Sequence, residues 1–305
     1  MAARFCFAAG LVPMLSVEKD KVRIGDLARM KVARTPIAML TAYDYAFARI
    51  FDHAGVDVLL VGDSLGMVVQ GAQNTLAVTV DEIIYHTRMV ARARRRALLV
   101  ADMPFLSYQV SVEQALLNAG RLLKEGGAEA VKLEGGVSIA DTVRRLVAVD
   151  IPVMGHIGLT PQSIHRMGGY RVQGRRSGRA PGCRERLIED AAALESAGAF
   201  AIVLEGMPPE LAEEITAKAS LPTIGIGAGP GCDGQVLVMH DLLGLSGCPA
   251  PRFAKPYLNL WEEAGGAALS YIREVRERAF PGPEHCYRSA KRDCQPENVT
   301  ARKRD

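Results

Sequence analysis

The sequence lacks a CxxC pair, a long apolar run and a strong excess of charge of either sign. Its formal net charge is only +3, with acidic and basic residues interspersed, which favours small-molecule substrates over nucleic acid or a membrane surface. No run approaches the roughly 20 apolar residues that a membrane-spanning helix requires. The scattered cysteines predict reduced thiols in a cytoplasmic protein; they are Cys6, Cys183, Cys232, Cys248, Cys286 and Cys294.

The common nucleotide-binding loops are also missing. The glycine-rich stretch GIGAG at 225–229 has neither the lysine and Ser/Thr of a P-loop nor the spacing of a dinucleotide-binding turn. It resembles the anion-binding loop of the seventh unit of a (β/α)8 barrel. Glycine-rich turns are common, so this stretch alone identifies no ligand.

At 305 residues and 49% hydrophobic composition, the chain is long enough for one α/β barrel or two smaller domains. Helix-like segments, such as the one that begins after Ser111 and stops at Gly126 or Gly127, separate most of its apolar runs. Strands alternating with helices form a parallel sheet, so we predict a (β/α)8 TIM barrel. The gap between the last two runs is too short for a helix, and an open doubly wound sheet is the alternative. The eight runs lie at 37–43, 56–63, 97–105, 128–134, 151–157, 199–205, 221–227 and 236–240.

The predicted barrel spans residues 24–283 as a single catalytic domain. Residues 1–23 form an N-terminal extension in which Arg4 precedes a short apolar run, so a leader and a start misassigned upstream of Met14 both fit. Residues 284–305 form a polar tail of mixed charge without periodicity, which we expect to be disordered.

Two basic clusters interrupt this pattern. Residues 166–186 hold seven arginines and five glycines and predict a long, flexible, cationic loop after the fifth strand. Such a loop fits an anionic cosubstrate, a solvated surface or an oligomer contact. The second cluster, RARRR at 92–96, is predicted to cap the C-terminal end of a helix.

Ionisable residues end several of the apolar runs, and polar groups that end barrel strands converge on one mouth. Asp63 and Asp102 end successive runs, so we expect them to face each other. Two buried carboxylates repel unless a cation lies between them, and oxygen ligands favour Mg²⁺ over Zn²⁺. The alternative role for each aspartate is a helix N-cap.

Four further residues are candidates for the same mouth. Residues two apart in a strand point the same way, which pairs Lys132 with Glu134, either as a buried ion pair or as a holder of a substrate carboxylate. His156 is either a hydrogen-bond donor to substrate or a satisfied core histidine. Glu205 ends an apolar strand and is a candidate general base, with a solvated strand-end glutamate as the alternative.

A set of motifs running from about residue 24 to residue 285 resembles the ketopantoate hydroxymethyltransferase family. Single motifs are weak, but this many blocks in the same order are specific. They are TAYDY (41–45), VGDSLGMVVQG (61–71), TVDEIIYHTRMV (79–90), ADMPF (101–105), VKLEGG (131–136), GHIGLTPQS (155–163), GGYRVQGR (168–175), VLEG (203–206), IGIGAG (224–229), DGQVLVMHD (233–241) and FAKPY (253–257).

The resemblance implies transfer of a hydroxymethyl group from 5,10-methylenetetrahydrofolate to 3-methyl-2-oxobutanoate, through an enolate that Mg²⁺ stabilises, to give 2-dehydropantoate for pantothenate synthesis. It implies Asp63 and Asp102 as metal ligands, which also contact substrate, with Glu134 in the outer environment of the metal. Ser64, Lys132 and His156 match positions that hold the oxo acid, and Glu205 matches the proposed base. Bacterial members are typically decamers, so a homo-oligomer is implied.

The extension, the arginine-rich stretch and the cysteine-containing tail depart from the family pattern and leave folate affinity and assembly open. Two other functions compete with this one. The first is a Mg²⁺-dependent barrel enzyme that makes or breaks carbon–carbon bonds in oxo acids without folate. The second is a non-catalytic scaffold, against which five ionisable groups at one mouth argue.

Overall fold

In the computed structural model of the chain, residues 20–247 and 249–287 are described, and they contain eight parallel strands. Each strand pairs with the next, and β8 pairs with β1, so the sheet closes into a barrel. The predicted (β/α)8 barrel is confirmed, and closure excludes the open doubly wound sheet. The strands are β1 (Ile37–Thr41), β2 (Val58–Val61), β3 (Leu98–Asp102), β4 (Ala130–Glu134), β5 (Val153–Gly158), β6 (Ala201–Glu205), β7 (Thr223–Ile226) and β8 (Gly234–Leu237).

Most strands are shorter than the apolar runs that predicted them, because each run continues into buried loop residues at one or both ends. The last strand differs most, since it begins at Gly234, two residues before the predicted run at 236–240. No helix separates β7 from β8, as the short gap predicted. A connection of seven residues, 227–233, suffices because both strands have only four residues.

The helices alternate with the strands along most of the chain. They are α1 (Ile24–Val32), α2 (Tyr45–Ala54), α3 (Leu65–Val68), α4 (Val80–Ala93), α5 (Val112–Arg121), α6 (Ala140–Val147), α7 (Ile164–Met167), α8 (Arg184–Ser196), α9 (Pro209–Lys218), α10 (Met239–Leu243) and α11 (Leu260–Arg276). A π-helical segment, Leu122–Gly126, continues α5, and 3-10 turns cover Val137–Ile139, Pro161–Ser163 and Pro283–His285.

Side chains at the helix ends explain where these helices begin and stop. The Ser111 side chain accepts a hydrogen bond from the backbone N–H of Gln114 and caps α5, as predicted. The π-helical segment stops at Gly127, whose φ of 78° suits glycine. Helix α4 ends at Ala93 with Arg92 in its last turn, as predicted for the basic cluster at 92–96.

The apolar core has two parts on opposite faces of the barrel wall. One part fills the barrel and includes Val58, Leu98, Val100, Met154 and Val203. The other lies between the strands and the surrounding helices and includes Leu59, Leu99 and Leu194. Neighbouring residues of one strand therefore enter different parts of the core, as the two-residue period of a strand requires.

The chain divides into two compact units at Leu258 and Asn259. The first holds the barrel. The second holds α11, none of whose residues is buried. The domain bounds proposed from the sequence, 24–283 for the barrel with an extension before and a tail after, remain predictions. Most of the extension and most of the tail, residues 1–19 and 288–305, lie outside the described residues.

Cys183, Cys232 and Cys286 are free thiols, whereas Cys6, Cys248 and Cys294 lie outside the described residues. Within residues 20–247 and 249–287, no helix combines the length and apolar character needed to span a bilayer.

Gly158, at the end of β5, is a position where only glycine fits. Its φ is 98°, and an added Cβ would lie 2.1 Å from the backbone oxygen of Glu205. We expect Gly158→Ala to lower the free energy of unfolding by about 1–3 kcal/mol, since it combines strain with a backbone clash. Urea denaturation measures this loss. In the control Gly120→Ala, the new Cβ meets nothing within 4 Å on a helix, and stability should rise by about 0.5–1 kcal/mol. Equal effects of the two substitutions would contradict the account.

Candidate active site

A cavity of about 1660 Å³ includes the carboxyl ends of the barrel strands. All seven residues that the sequence proposed for the site line this cavity, although they are spread over the chain between positions 63 and 205. They are Asp63, Ser64, Asp102, Lys132, Glu134, His156 and Glu205.

The two-residue period of the strands explains how these charges reach the cavity. Val100 faces the barrel interior, so Asp102 two residues later faces it as well. Met154 and Val203 also face the interior, so His156 and Glu205, two residues later in the same strands, face it as well. Each of these three strands thus places an apolar side chain in the core and an ionisable one at the mouth.

Asp63 and Asp102 are in contact, as predicted, but the backbone of Asp63 makes the contact. Strand β2 ends at Val61, so the chain has already turned at Asp63, and the backbone N–H of Asp63 donates to Asp102 Oδ2 at 2.9 Å. Neither carboxylate caps a helix, because Ser64 is the N-cap of α3 and Ser111 that of α5. The N-cap alternative is therefore wrong for both residues. The Ser64 hydroxyl contacts the Tyr43 hydroxyl at 2.8 Å.

Lys132 forms its ion pair across strands and not along its own strand. Its Nζ lies 2.9 Å from Asp102 Oδ1 and 3.2 Å from His156 Nδ1. Asp102 is the register partner of Lys132 in the neighbouring strand, and such partners are closer than residues two apart in one strand. The predicted pairing with Glu134 is thereby corrected.

His156 connects the two glutamates. Its Nδ1 lies 3.4 Å from Glu134 Oε1, and its Nε2 lies 3.1 Å from Glu205 Oε2. The Glu205 side chain is 18% exposed, against 3–4% for His156 and Glu134. Glu205 is therefore the most exposed of the four carboxylates that the sequence proposed for the site.

Burial and the negative charges nearby make the two aspartates hard to ionise in the absence of a cation. Burial, with Asp102 and Glu134 nearby, raises the pKa of Asp63 well above its usual value. Burial also raises the pKa of Asp102, although Lys132 opposes the shift. Burial by itself lowers the pKa of Lys132, but Asp102, Glu134 and Asp63 more than offset it and raise that pKa.

His156 is held as a cation at neutral pH. Burial and Lys132 lower its pKa, but Glu134 and Glu205 more than compensate and raise it to about 9. Because the folded protein binds this proton more tightly than the unfolded chain, the stabilisation is complete below about pH 6.5 and is lost as the pH rises through 9.

We therefore expect metal-free wild type to lose about 2–3 kcal/mol of unfolding free energy between pH 6.5 and 9 that His156→Gln does not lose. Denaturant titration at a series of pH values measures the difference. The control His53→Gln changes an exposed histidine on α2 and should follow wild type. Parallel curves for wild type and His156→Gln would contradict the assignment.

The donor set fits a hard divalent cation. Four carboxylates (Asp63, Asp102, Glu134 and Glu205) face two cations (Lys132 and His156), which leaves two negative charges when all are ionised. Among the described residues, Lys132 Nζ lies 2.9 Å from the buried Asp102 Oδ1, and His156 Nδ1 lies 3.4 Å from the buried Glu134 Oε1. No group of three or more His, Cys, Asp and Glu side chains in that part of the chain has the geometry of a ready-made metal site. Mg²⁺ typically binds through one or two carboxylates and keeps several waters.

Sequence reasoning missed two residues of this site, Gln162 and Tyr108. The Gln162 side chain donates to Asp63 Oδ2 at 2.8 Å, and the Tyr108 hydroxyl donates to Gln162 Oε1 at 2.8 Å. Both residues are buried. Gln162 lies in the motif GHIGLTPQS, but an uncharged side chain in a turn after a strand gives no pattern that distinguishes it from other polar loop residues.

The arginine-rich segment at 166–186 follows β5 as predicted, although its two ends are helical. Met167 ends α7, and α8 begins at Arg184, so the connection covers residues 168–183. Tyr170 and Arg175 of this connection line the cavity, as do Gly227 and Gly229 of the GIGAG stretch. The Tyr170 hydroxyl donates to Met67 Sδ at 3.2 Å, close to the Asp63 turn.

Solved structures similar to this one are other barrels, and their low sequence identity relates them by fold alone. A phosphonopyruvate hydrolase in complex with oxalate and Mg²⁺ aligns with a TM-score of 0.55 at 12% identity, over 87% of this chain and 93% of that one. A 2,3-dimethylmalate lyase of the PEP mutase/isocitrate lyase superfamily aligns with a TM-score of 0.53 at 16% identity, over 90% and 92% of the two chains.

Sequence comparison gives a narrower relationship. The profile of ketopantoate hydroxymethyltransferase matches residues 21–283. The 3-methyl-2-oxobutanoate hydroxymethyltransferase of Pelobacter propionicus is 59% identical over 273 residues, 90% of this chain and 100% of that protein. The enzyme of the same name from Geobacter metallireducens is 58% identical over 88% of this chain and 98% of its own length. This chain is therefore a transferase of the ketopantoate hydroxymethyltransferase family.

Proposed function

We propose that this transferase moves a hydroxymethyl group from 5,10-methylenetetrahydrofolate to 3-methyl-2-oxobutanoate and forms 2-dehydropantoate, a precursor of pantothenate and coenzyme A. The observation that carries the proposal is the convergence of the acidic cluster, Lys132 and His156 at one barrel mouth. Family membership gives the reaction, and the arrangement of charges supports it.

Asp63 and Asp102 would hold Mg²⁺, with Glu134 in its outer environment. The support is the excess of negative charge at the barrel mouth, where four carboxylates meet two cations. When bound, Mg²⁺ would supply a Lewis acid that stabilises negative charge on the oxygen of an oxo acid.

Lys132, His156 and Ser64 hold the oxo acid. The two cations lie 3.2 Å apart and are buried, so they attract the carboxylate of the substrate in a medium that screens charge poorly. Ser64 adds a hydroxyl beside Asp63, and this hydroxyl lies 2.8 Å from the Tyr43 hydroxyl.

Glu205 is the base that removes the proton from C3 of the oxo acid. Its carboxylate reaches the cavity and lies 3.1 Å from His156 Nε2, which holds it in place for the proton transfer that a base carries out. C3 then forms a bond with the methylene carbon of the folate, and both carbon–nitrogen bonds to that carbon break in turn. Water supplies the hydroxyl of the product, and its other proton, with the proton taken from C3, completes the two N–H groups of tetrahydrofolate.

The cavity has room for a cosubstrate beside the oxo acid. At about 1660 Å³ it exceeds the roughly 300–1,000 Å³ of typical small-molecule pockets. Its outer wall combines apolar side chains such as Val172 and Phe253 with the cationic Arg175 and Arg252, a composition that suits a flat ring system attached to carboxylates.

We also propose a cytoplasmic homo-oligomer, decameric like bacterial members of the family, which sedimentation analysis would test.

Folate dependence separates this function from folate-independent barrel enzymes that act on oxo acids. We expect the protein to consume 3-methyl-2-oxobutanoate only when methylenetetrahydrofolate is present, with tetrahydrofolate released in equal amount. Consumption without folate would favour a lyase. A folded protein that neither consumes nor binds the oxo acid would favour a scaffold.

A further inference from the structure

Gln162, in the 3-10 turn Pro161–Ser163 after β5, contacts two of the carboxylates at the mouth. Its side-chain Nε2 donates to Asp63 Oδ2 at 2.8 Å and to the backbone oxygen of Met103 at 3.0 Å. Its backbone N–H donates to Glu134 Oε2 at 3.0 Å. Asp63 follows β2 and Glu134 ends β4, so one residue after β5 connects the carboxyl ends of three strands.

The orientation of the Gln162 amide is determined by its neighbours. Tyr108 OH and Gln109 Nε2 lie 2.8 Å and 3.2 Å from Gln162 Oε1, and both donate to it. The Tyr108 hydroxyl in turn accepts from the backbone N–H of Glu134 at 3.1 Å, and its own proton has two acceptors within reach, Gln162 Oε1 at 2.8 Å and the backbone oxygen of Glu134 at 3.0 Å. A flipped amide would place its oxygen against two acceptors and its N–H groups against two donors.

We propose that Gln162 is a positioning residue that orients the Asp63 carboxylate toward the cation, and that Tyr108 acts through it. The amide occupies Oδ2 of Asp63 and leaves Oδ1 for a metal ion. Because the amide is neutral, it fixes the carboxylate without neutralising it, whereas a lysine or arginine in this place would compete with the cation for the same charge. Gln162 and Tyr108 are 7% and 2% exposed, so bulk water is poorly placed to substitute for either one.

This inference rests on the proposed function, because it takes Asp63 as a ligand of a divalent cation. Its test is therefore binding of Mn²⁺ to the metal-free protein, followed by electron paramagnetic resonance without oxo acid or folate. We expect Gln162→Met, which keeps the volume but removes the donors, to weaken Mn²⁺ binding by about 10- to 100-fold. Near-ultraviolet circular dichroism checks that the fold is retained.

Tyr108→Phe removes only the hydroxyl, which contacts both the Gln162 amide and the backbone of Glu134, and should weaken Mn²⁺ binding by a smaller factor. The double variant Gln162→Met with Tyr108→Phe should bind no more weakly than Gln162→Met alone, since the tyrosine acts through the glutamine. The matched control is Gln70→Met, because Gln70 is exposed and contacts Glu82 outside the cavity; its affinity should equal that of wild type.

Each outcome distinguishes the inference from the proposed function. Wild type that binds no Mn²⁺ would overturn the metal site itself. Wild type that binds Mn²⁺ while folded Gln162→Met binds it equally well would overturn only the positioning role. If Gln162→Met fails to fold, unchanged affinity in Tyr108→Phe would overturn the inference, and reduced affinity would support it.

Discussion

Glu205→Gln should bind the oxo acid but exchange its C3 proton with D₂O about 10²- to 10⁴-fold more slowly than wild type. Glutamine keeps the shape of the side chain and remains able to contact His156 Nε2, which lies 3.1 Å from Glu205 Oε2 in wild type. It cannot accept the proton. Nuclear magnetic resonance follows the exchange directly, without folate and without turnover.

The control for this substitution is Glu210→Gln, which makes the same chemical change at an exposed position of α9. Its exchange rate should equal that of wild type. Undiminished exchange in a folded Glu205→Gln protein that binds the oxo acid would remove Glu205 as the base. In that case His156 would be the next residue to test, because it is the ionisable group in contact with Glu205.

Asp102→Asn should weaken Mg²⁺ binding by more than the roughly 10- to 100-fold expected when an outer contact is lost. Asparagine retains an oxygen that accepts the hydrogen bond from the backbone N–H of Asp63, so the local turn is preserved. What disappears is one of the negative charges that balance the cation. Lys132, which pairs with Asp102 at 2.9 Å, also loses its closest counter-charge.

Isothermal titration calorimetry of metal-free protein with Mg²⁺ measures this loss, and the transferase rate should fall with it. Asp141→Asn is the matched control, since Asp141 is exposed and pairs with Arg144, three residues along its own helix. Unchanged Mg²⁺ affinity in Asp102→Asn would reject the ligand role.

The candidate site was largely predictable because successive side chains point to opposite faces of a strand, so the position of a residue in a strand gives the direction of its side chain. An apolar run that ends in a charged residue places that residue at the barrel mouth, which is why Asp102, His156 and Glu205 could be assigned together before the fold was seen. Eight such runs at barrel spacing predicted closure, and β8 was misplaced by only two residues because its core positions alternate with exposed ones.

Register was not predictable from the same pattern. The partner of Lys132 is Asp102 because these residues are opposite each other in neighbouring strands, and a sequence read one strand at a time contains no information on that alignment. Asp63 likewise reaches Asp102 through its backbone, after a turn that the apolar run does not indicate. Gln162 went unnoticed because its role depends on hydrogen bonds to residues 54 and 99 positions earlier in the chain.

The most direct test of the central claim uses 5,10-methylenetetrahydrofolate labelled with ¹³C at the methylene carbon. The protein is mixed with this compound, 3-methyl-2-oxobutanoate and Mg²⁺, and the products are analysed by mass spectrometry with and without a chelator. The account predicts 2-dehydropantoate carrying one ¹³C atom, and its loss when the chelator is present. Absence of labelled product from folded, Mg²⁺-loaded protein would contradict it.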